Sequence, residues 1–394
     1  MESTEPLKYS YGSPARDITC GPDVISSLAS VLDGLAAQHA LIVCGPTILA
    51  KSDVIQRVRD SLGQRCRGVF SGVAPHAPVE TLEQAVAMAK NVRADALVSV
   101  GGGSTHDTAK GLAVLLGEGG RIHDHQIRFE PPDKISIPLL KNPKLPIIAV
   151  STTMGGAEFS RGAGFTDHAL NRKISVSDPG ALPCAILFDG KALATTPTGI
   201  LVSTAMGQFR IAVESIYTRH RNPFGETLAL RAIQILVRNL PHCGDKNIER
   251  LLQIKTAACM ASLASPGSLG LNSALSHPIG GLYHVPHGEA NAILLPHTMR
   301  FNLDACAAQQ ALIAEAMGVN ITGMSAHDAG LAAADAVAEF TRALGMPTRL
   351  RDVDVPEDGL ARIATATLQD RSLASNPKPI YDTEPIMRVL RAAW

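Results

Sequence analysis

Hydrophobic residues in the first half of the chain come in short runs separated by amphipathic segments, as far as Asp189. Four runs have the length and apolar content of buried β-strands, namely residues 40–44, 96–100, 147–150 and 185–188. Between two of them, residues 79–91 space their apolar side chains at three and four, which predicts a helix. Strands that alternate with helices predict a parallel, doubly wound sheet covered on both faces.

The pattern changes after Asp189, where β-branched extended runs nearly vanish and helical periodicity takes over in residues 226–239, 247–263 and 326–344. With 394 residues the chain also exceeds what one hydrophobic core usually serves. We therefore predict an α/β domain over residues 1–189 and an α-helical domain over residues 190–394. Residues 129–146 contain five prolines and are predicted to form an irregular surface excursion.

Composition narrows the choice of partner and compartment. Lysine plus arginine (36) balances aspartate plus glutamate (36), so no net field favours nucleic acid or an acidic membrane, and we expect a small-molecule substrate. The first residues carry no secretory pattern and no apolar run reaches the length of a membrane span, so we predict a cytoplasmic protein without membrane attachment. Seven cysteines without a C-x-x-C pair are interpreted as buried thiols rather than disulfides or a zinc site.

Two glycine-bearing turns follow predicted strands. Residues 101–105 read Gly-Gly-Gly-Ser-Thr, and residues 106–116 then have the pattern of a helix. Glycines allow a close backbone approach and a helix N-terminus attracts an anion, so a dinucleotide pyrophosphate fits this turn, although it is not the G-x-G-x-x-G fingerprint. Residues 151–160 begin Ser-Thr-Thr, whose hydroxyls can bind a ligand at the end of the next strand.

Three segments carry a family resemblance: GGGSTHDTAK (101–110), STTMGGAE (151–158) and SHPIGGLYHVPHGEANAILLPH (276–297). Their sequences, order and spacing resemble the iron-containing alcohol dehydrogenase superfamily, closest to its maleylacetate reductase branch. The third segment is the most specific of the three, because H-P-x-G-G followed by P-H-G-E-A-N-A is improbable by chance. This resemblance implies an NAD(P)-dependent oxidoreductase.

The resemblance also implies an architecture and a cofactor site. The expected fold is the dehydroquinate synthase-like one: a Rossmann-like N-terminal α/β domain, an all-α C-terminal domain, an active site in the cleft between them, and a homodimer. Carried over by position, Gly102, Gly103 and Ser104 would hold the pyrophosphate, Thr152 and Thr153 would contact the cofactor, and Lys173 would reach its ribose. Gly45 stands where NAD-selective members carry an acidic residue, so NADPH is admitted without being required, and the expected cofactor is NADH or NADPH.

The metal site is where the chain departs from the family pattern. The four positions that would hold metal ligands are occupied here by Gly207, Ile211, Ser273 and His287. Since a stable divalent site usually needs at least three N, O or S ligands, we predict that no metal is bound. The alternative is a rebuilt site that uses His284, His287 and a distant group.

Without an ion, the carbonyl oxygen that gains charge must be stabilised by side chains. We predict His277 as the proton donor and His287 as the group that stabilises the oxyanion, because imidazole titrates near neutral pH. Arg210 is predicted either to supply positive charge in place of the ion or to bind a substrate carboxylate through two hydrogen bonds. The alternative is that Arg210 is a solvated arginine on a helix surface.

The leading hypothesis is therefore a metal-independent NAD(P)H-dependent reductase of a small oxo acid, similar to maleylacetate reductase. Two alternatives stay open: a metal-dependent alcohol dehydrogenase with relocated ligands, and a non-redox lyase, isomerase or cyclase on a dehydrogenase fold.

Overall fold

A computed structural model describes residues 16–130, 134–170, 172–267 and 269–394. The described chain forms two compact units. The sheet unit comprises residues 16–208 and 238–259, and the helical unit comprises residues 209–237 and 260–394. The domain boundary that we place after Asp189 stays a prediction.

The sheet unit is built on six parallel strands in the spatial order β1-β10-β7-β4-β2-β3. Two further pairs, β5 with β6 and β8 with β9, form small antiparallel sheets. The predicted strands are confirmed. The strands are β1 (Asp17–Gly21), β2 (Ala40–Cys44), β3 (Cys66–Phe70), β4 (Ala96–Gly101), β5 (Arg128–Glu130), β6 (Lys134–Ser136), β7 (Ile147–Ser151), β8 (Gly162–Asp167), β9 (Arg172–Ser177) and β10 (Ala185–Asp189).

Helices cover both faces of the six-stranded sheet because successive strand residues point to opposite sides. In β2, Leu41 and Val43 pack with the helices α4 (Val79–Asn91) and α5 (Gly103–Glu118). Ile42 and Cys44 of the same strand pack on the opposite face. The helices there are α1 (Leu28–Gly34) and α3 (Val54–Leu62); the short helices α2 (Pro46–Lys51) and α6 (Gly190–Ala194) follow β2 and β10.

Helices make up the second half of the described chain, as predicted. They are α7 (Thr198–Tyr217), α8 (Pro223–Asn239), α9 (Ile248–Ala264), α10 (Leu271–Tyr283), α11 (His287–Ala316), α12 (Ala326–Ala343), α13 (Leu360–Thr367) and α14 (Thr383–Ala393). The main core of the helical unit lies among α10, α11, α13 and α14. Leu275 and Ile279 of α10 and Leu390 of α14 are completely buried in it.

Two local predictions need correction. Helix α5 begins at Gly103 rather than at residue 106, because Gly102 already accepts hydrogen bonds from the backbone N–H groups of Thr105 and His106. The segment 129–146 is not irregular throughout, since its start belongs to the hairpin of β5 and β6. Three of its prolines follow β6, where they remove no ladder hydrogen bond, and residues 131–133 lie outside the described ones.

The cysteine prediction is right about disulfides and wrong about burial. All seven thiols are free, but Cys20 is exposed, and Cys66 and Cys184 are partly exposed. Cys20 lies on β1, which among the described strands pairs with β10 alone and so forms an edge of the described sheet. Within the described residues, no helix combines the length and apolar character needed to cross a bilayer.

A buried ion pair fixes the loop that follows β7. Lys255 of α9 contacts the Glu158 carboxylate and donates a hydrogen bond of 2.7 Å to the Gly155 carbonyl. Both charged side chains are at most 2% exposed. Burial alone would raise the pKa of Glu158, but Lys255 holds that pKa below its ordinary value. The pair therefore ties residues 155–158 to α9.

We expect Lys255→Met to lower the free energy of unfolding by about 3–5 kcal/mol, because it leaves a buried carboxylate uncompensated. The control Lys191→Met removes a pair that is 52% exposed on the lysine side and should cost less than about 1 kcal/mol. Denaturant titration measures both.

Acid unfolding gives a second check. In the wild type the stability from ionised Glu158 is present above the ordinary glutamate pKa of about 4.3 and is lost as pH falls through the lower folded pKa. Without Lys255, burial dominates and Glu158 takes up its proton at higher pH. Acid unfolding of Lys255→Met should therefore begin at higher pH; identical acid transitions would contradict the assigned role.

Candidate active site

Three loops of the sheet unit meet at the carboxyl ends of adjacent strands. In the strand register, Cys44 lies beside Val100 and Gly101 lies beside Ser151. The Thr152 N–H donates a 2.9 Å hydrogen bond to the Gly101 carbonyl, which joins two of these loops directly. Because β3 and β4 lie on opposite sides of β2, strand order reverses here, and open α/β sheets bind their ligands at such a reversal.

Gly102 makes the turn between β4 and α5 compatible with a ligand. A Cβ atom at this position would lie 2.9 Å from the Thr153 methyl group, so only glycine fits without displacement. Next to it is a pocket of about 280 Å³. Its lining includes Gly45, Lys51, Gly102, Thr152 and Thr153. A cradle of backbone and threonine hydroxyls at a helix N-terminus suits the pyrophosphate of a dinucleotide.

Two further residues that are predicted to bind the cofactor, Ser104 and Lys173, lie on or beside α5. Ser104 occupies its first turn, where its hydroxyl accepts a 2.9 Å hydrogen bond from the His76 N–H. Lys173 is on β9, in the small antiparallel sheet, and interacts electrostatically with Asp107 of α5. Desolvation lowers the pKa of Lys173, and the Asp107 charge opposes this. Five of the predicted cofactor residues therefore lie in the two turns that follow β4 and β7, and the sixth, Lys173, lies on β9.

In the helical unit, α10 presents a stripe of site residues at helical spacing. Ser273, His277 and Gly280 are four and three positions apart and therefore share one face. The ring of His287, the first residue of α11, lies over this face, with its centroid 6.2 Å from that of His277. A Cβ at Gly280 would meet the His287 ring at 3.2 Å. The first glycine of the H-P-x-G-G motif therefore makes room for His287.

Arg210 of α7 reaches the same stripe through Ser273. Its Nη1 donates to the Ser273 hydroxyl at 2.6 Å and to the Glu214 carboxylate at 3.1 Å. Ser273 in turn donates to Glu214 at 2.9 Å. The guanidinium is thus held through Nη1, while its buried Nε has no hydrogen-bond partner in the part of the chain that the structure describes.

No sequence motif assigns a role to Glu214, yet its carboxylate organises this region. The side chain is completely buried. Its Oε1 accepts a 3.1 Å hydrogen bond from the Asn272 N–H in the first turn of α10. The neighbouring N–H, that of Leu271, donates to Asn376 at 3.0 Å. Two side chains that are distant in sequence therefore accept hydrogen bonds from the free backbone N–H groups at the N-terminus of α10. Residue spacing alone cannot reveal such contacts.

Asp370 is a second site residue that the sequence motifs do not indicate. Its Oδ2 lies 2.6 Å from Nδ1 of His277, across 93 residues of sequence. The His277 side chain is 54% exposed, whereas that of Asp370 is 16% exposed. The only local signal is that Asp370 precedes a 3-10 helix, Arg371–Ser375, whose Ser372 N–H it caps. A capping aspartate is common, so this signal does not by itself indicate a partner for a histidine.

The residues present do not fit a resident divalent ion. Gly207 and Ile211 offer no ligand atom, and the Ser273 hydroxyl is engaged by Arg210 and Glu214. A guanidinium in contact with Ser273 would repel a cation bound there. Throughout the described ranges, no cluster of three or more histidine, cysteine, aspartate or glutamate side chains could hold a metal, and that includes His284 with His287.

Comparison with known proteins places this arrangement in a family. Residues 15–190 match the family described as iron-containing alcohol dehydrogenase, and residues 201–394 match its C-terminal domain. The 1,3-propanediol dehydrogenase of Klebsiella pneumoniae is 31% identical over 381 residues, which is 95% of this chain and 96% of that protein.

Two further comparisons agree. Maleylacetate reductase 2 of Cupriavidus pinatubonensis is 32% identical over 287 residues, covering 72% of this chain and 71% of the relative. A crystal structure of 1,3-propanediol oxidoreductase superimposes with a TM-score of 0.91 at 30% identity, covering 98% of this chain and all of that one. The chain therefore belongs to the iron-containing alcohol dehydrogenase family of oxidoreductases.

Proposed function

We propose that this protein is a metal-independent reductase that uses NADH or NADPH to reduce a small oxo acid. The observation that carries the proposal is the Arg210 guanidinium, anchored to Glu214 and Ser273 in place of metal ligands. Its unpaired Nε belongs to the edge of the guanidinium that can bind a carboxylate through two parallel hydrogen bonds. Maleylacetate is the substrate precedent, since one relative bears the name maleylacetate reductase.

The cofactor site is assigned to the turn after β4. The backbone of Gly102 and Gly103 and the dipole of α5 would hold the pyrophosphate, and Thr152 and Thr153 would contact the rest of the molecule. The bound reduced dinucleotide supplies the hydride. Gly45 lines the same pocket with Lys51, and no carboxylate is among the residues that line it. Because nothing there repels a 2′-phosphate, both NADH and NADPH are expected to bind.

The helical unit supplies the remaining chemistry. Arg210 fixes the substrate carboxylate and so orients the carbonyl. For an oxo acid reduced at its carbonyl, the hydride would go to the carbonyl carbon. His287 would hydrogen-bond the carbonyl oxygen as it gains charge, and His277 would deliver a proton to that oxygen, which yields the hydroxy acid. A cytoplasmic location and a homodimeric state are the compartment and assembly that we propose with this function.

Metal dependence decides between this proposal and its main alternative. After dialysis against EDTA, purified protein should oxidise NADH or NADPH with oxo acids at the same rate as before. Elemental analysis should find far less than one equivalent of metal. Stoichiometric iron or zinc, with activity lost on chelation and restored by the ion, would instead favour the metal-dependent alcohol dehydrogenase. Tight cofactor binding without turnover on any oxo acid, ketone or aldehyde would favour non-redox chemistry.

Arg210→Met tests substrate recognition. The variant keeps the length of the side chain and removes the charge, so KM for an oxo acid should rise about tenfold to a hundredfold, the range for charge-assisted hydrogen bonds. A ketone of the same size without a carboxylate should be affected much less. Steady-state kinetics on the matched pair provides the measurement.

The matched control for this variant is Arg231→Met. Arg231 lies on α8 and donates to Gln234 on the same helix, so its loss should leave both substrates unaffected. An equal loss for the acid and the ketone in folded Arg210→Met protein would argue against carboxylate binding by Arg210.

Gly102→Ala tests the cofactor site. The added methyl group would press on Thr153, and the turn or the threonine must shift. We expect the Kd for reduced cofactor, from fluorescence titration, to rise about tenfold or more, as a misplaced backbone weakens several hydrogen bonds at once. Gly34→Ala is the control, because open space surrounds that position. An unchanged Kd in Gly102→Ala would show that the pyrophosphate does not bind at this turn.

A further inference from the structure

The His277–Asp370 pair has the geometry of an imidazole held in one orientation. A separation of 2.6 Å between Nδ1 and the carboxylate is a short, charge-assisted hydrogen bond. One ring nitrogen, Nδ1, is turned toward the less exposed partner. The half-exposed ring then presents its other nitrogen, Nε2, away from Asp370.

The chemistry of Asp370 settles which atom carries the proton in this bond. Burial alone would raise the pKa of the Asp370 carboxyl, but the hydrogen bond from His277 holds that pKa below its ordinary value. The carboxylate is therefore ionised at neutral pH and can only accept. Nδ1 of His277 must be the donor. Nε2 is then the ring atom through which a proton can pass to or from a substrate.

Asp370 is itself held on two sides. Its Oδ1 accepts a 2.8 Å hydrogen bond from the Ser372 N–H, so the carboxylate cannot rotate freely. The segment that follows is anchored by Asn376, which exchanges hydrogen bonds with Asn302 of α11 and accepts from the Leu271 N–H of α10. Since His277 is also on α10, the acceptor and the imidazole are fixed to the same helix.

We propose that Asp370 is the positioning residue for His277: it holds the imidazole with Nδ1 as donor and Nε2 directed to the substrate oxygen. Asp370 does not touch the substrate. The inference rests on the proposed function, because it assigns His277 the proton transfer of that reaction.

The test is a double-mutant cycle with Asp370→Asn and His277→Gln. Asparagine can still cap Ser372, but its amide cannot replace the carboxylate as an ionic acceptor of Nδ1–H. We expect kcat for oxo acid reduction to fall about tenfold to a hundredfold in Asp370→Asn, with KM changed less than about threefold. In the His277→Gln background the same change should have no further effect, because its target is gone. Equal losses in both backgrounds would overturn the positioning role.

A spectroscopic readout separates this inference from the proposed function. In protein labelled with ¹⁵N-histidine, the His277 ring, identified by its loss in His277→Gln, should show a protonated Nδ1 in the wild type. Asp370→Asn should lose that pattern, and its persistence would overturn the inference. If the protein reduces no oxo acid, the proposed function fails while the ring spectrum still tests the pair. If Arg210→Met behaves as expected and Asp370→Asn retains full kcat, only the inference fails.

Two controls keep the experiment interpretable. Asp382→Asn alters an equivalent capping aspartate, at the start of α14, and should leave kinetics and the His277 spectrum unchanged. If Asp370→Asn does not fold, Asp370→Ser keeps a capping oxygen for Ser372 but is too short to reach His277. It should show the same fall in kcat at near wild-type thermal stability; wild-type kcat in this variant would overturn the proposal.

Discussion

The chemistry assigned to the helical unit depends on one buried carboxylate, that of Glu214. One oxygen accepts the N–H of Asn272 at the start of α10, and the other binds Arg210 and Ser273. Glu214 therefore fixes the helix that carries His277 and, with the same group, balances the charge of a guanidinium. A buried charge is tolerated only when it is paired and hydrogen-bonded, and here both conditions are met by residues of the site itself.

The proposed role of Arg210 accounts for the residues Gly207, Ile211 and Ser273 at three expected ligand positions in a member of a family named for its iron. A metal ion would stabilise developing negative charge from a fixed position. Arg210 offers a permanent positive charge at a position fixed by two hydrogen bonds, and in the proposed reaction its planar edge would bind the substrate carboxylate. The proposed replacement would narrow the substrate class, because a guanidinium edge favours an anionic group over a simple alcohol. The oxo acid proposal follows from that preference.

Much of the fold is predictable from sequence because it rests on local periodicity. The strands, the helix at residues 79–91 and the helical second half follow from apolar spacing alone. The glycine turn and Thr152 also lie as expected, since parallel strands bring their carboxyl ends to one edge. The start of α5 was misplaced because Gly103 has low helix propensity, which a free N-terminal turn tolerates.

The contacts that complete the site are long-range, and periodicity carries no information about them. Asp370 meets His277 across 93 residues, Ser273 meets Glu214 across 59, and Lys255 meets Glu158 across 97. The residues Arg210, His277 and His287 could be nominated from the family motifs, but their partners could not. Cys20 was misassigned for a similar reason, because an edge strand cannot be distinguished from a central one by composition.

We propose that Arg210, and not an ion, receives the substrate. This proposal is tested most directly by a crystal structure of the protein with reduced cofactor and oxamate, an unreactive isostere of a 2-oxo acid, with anomalous data collected at the iron and zinc edges. We expect the oxamate carboxylate on the Nε edge of Arg210, its amide oxygen facing Nε2 of His277, and no anomalous peak near His287. A metal peak bound to His287, or oxamate bound away from Arg210, would contradict it.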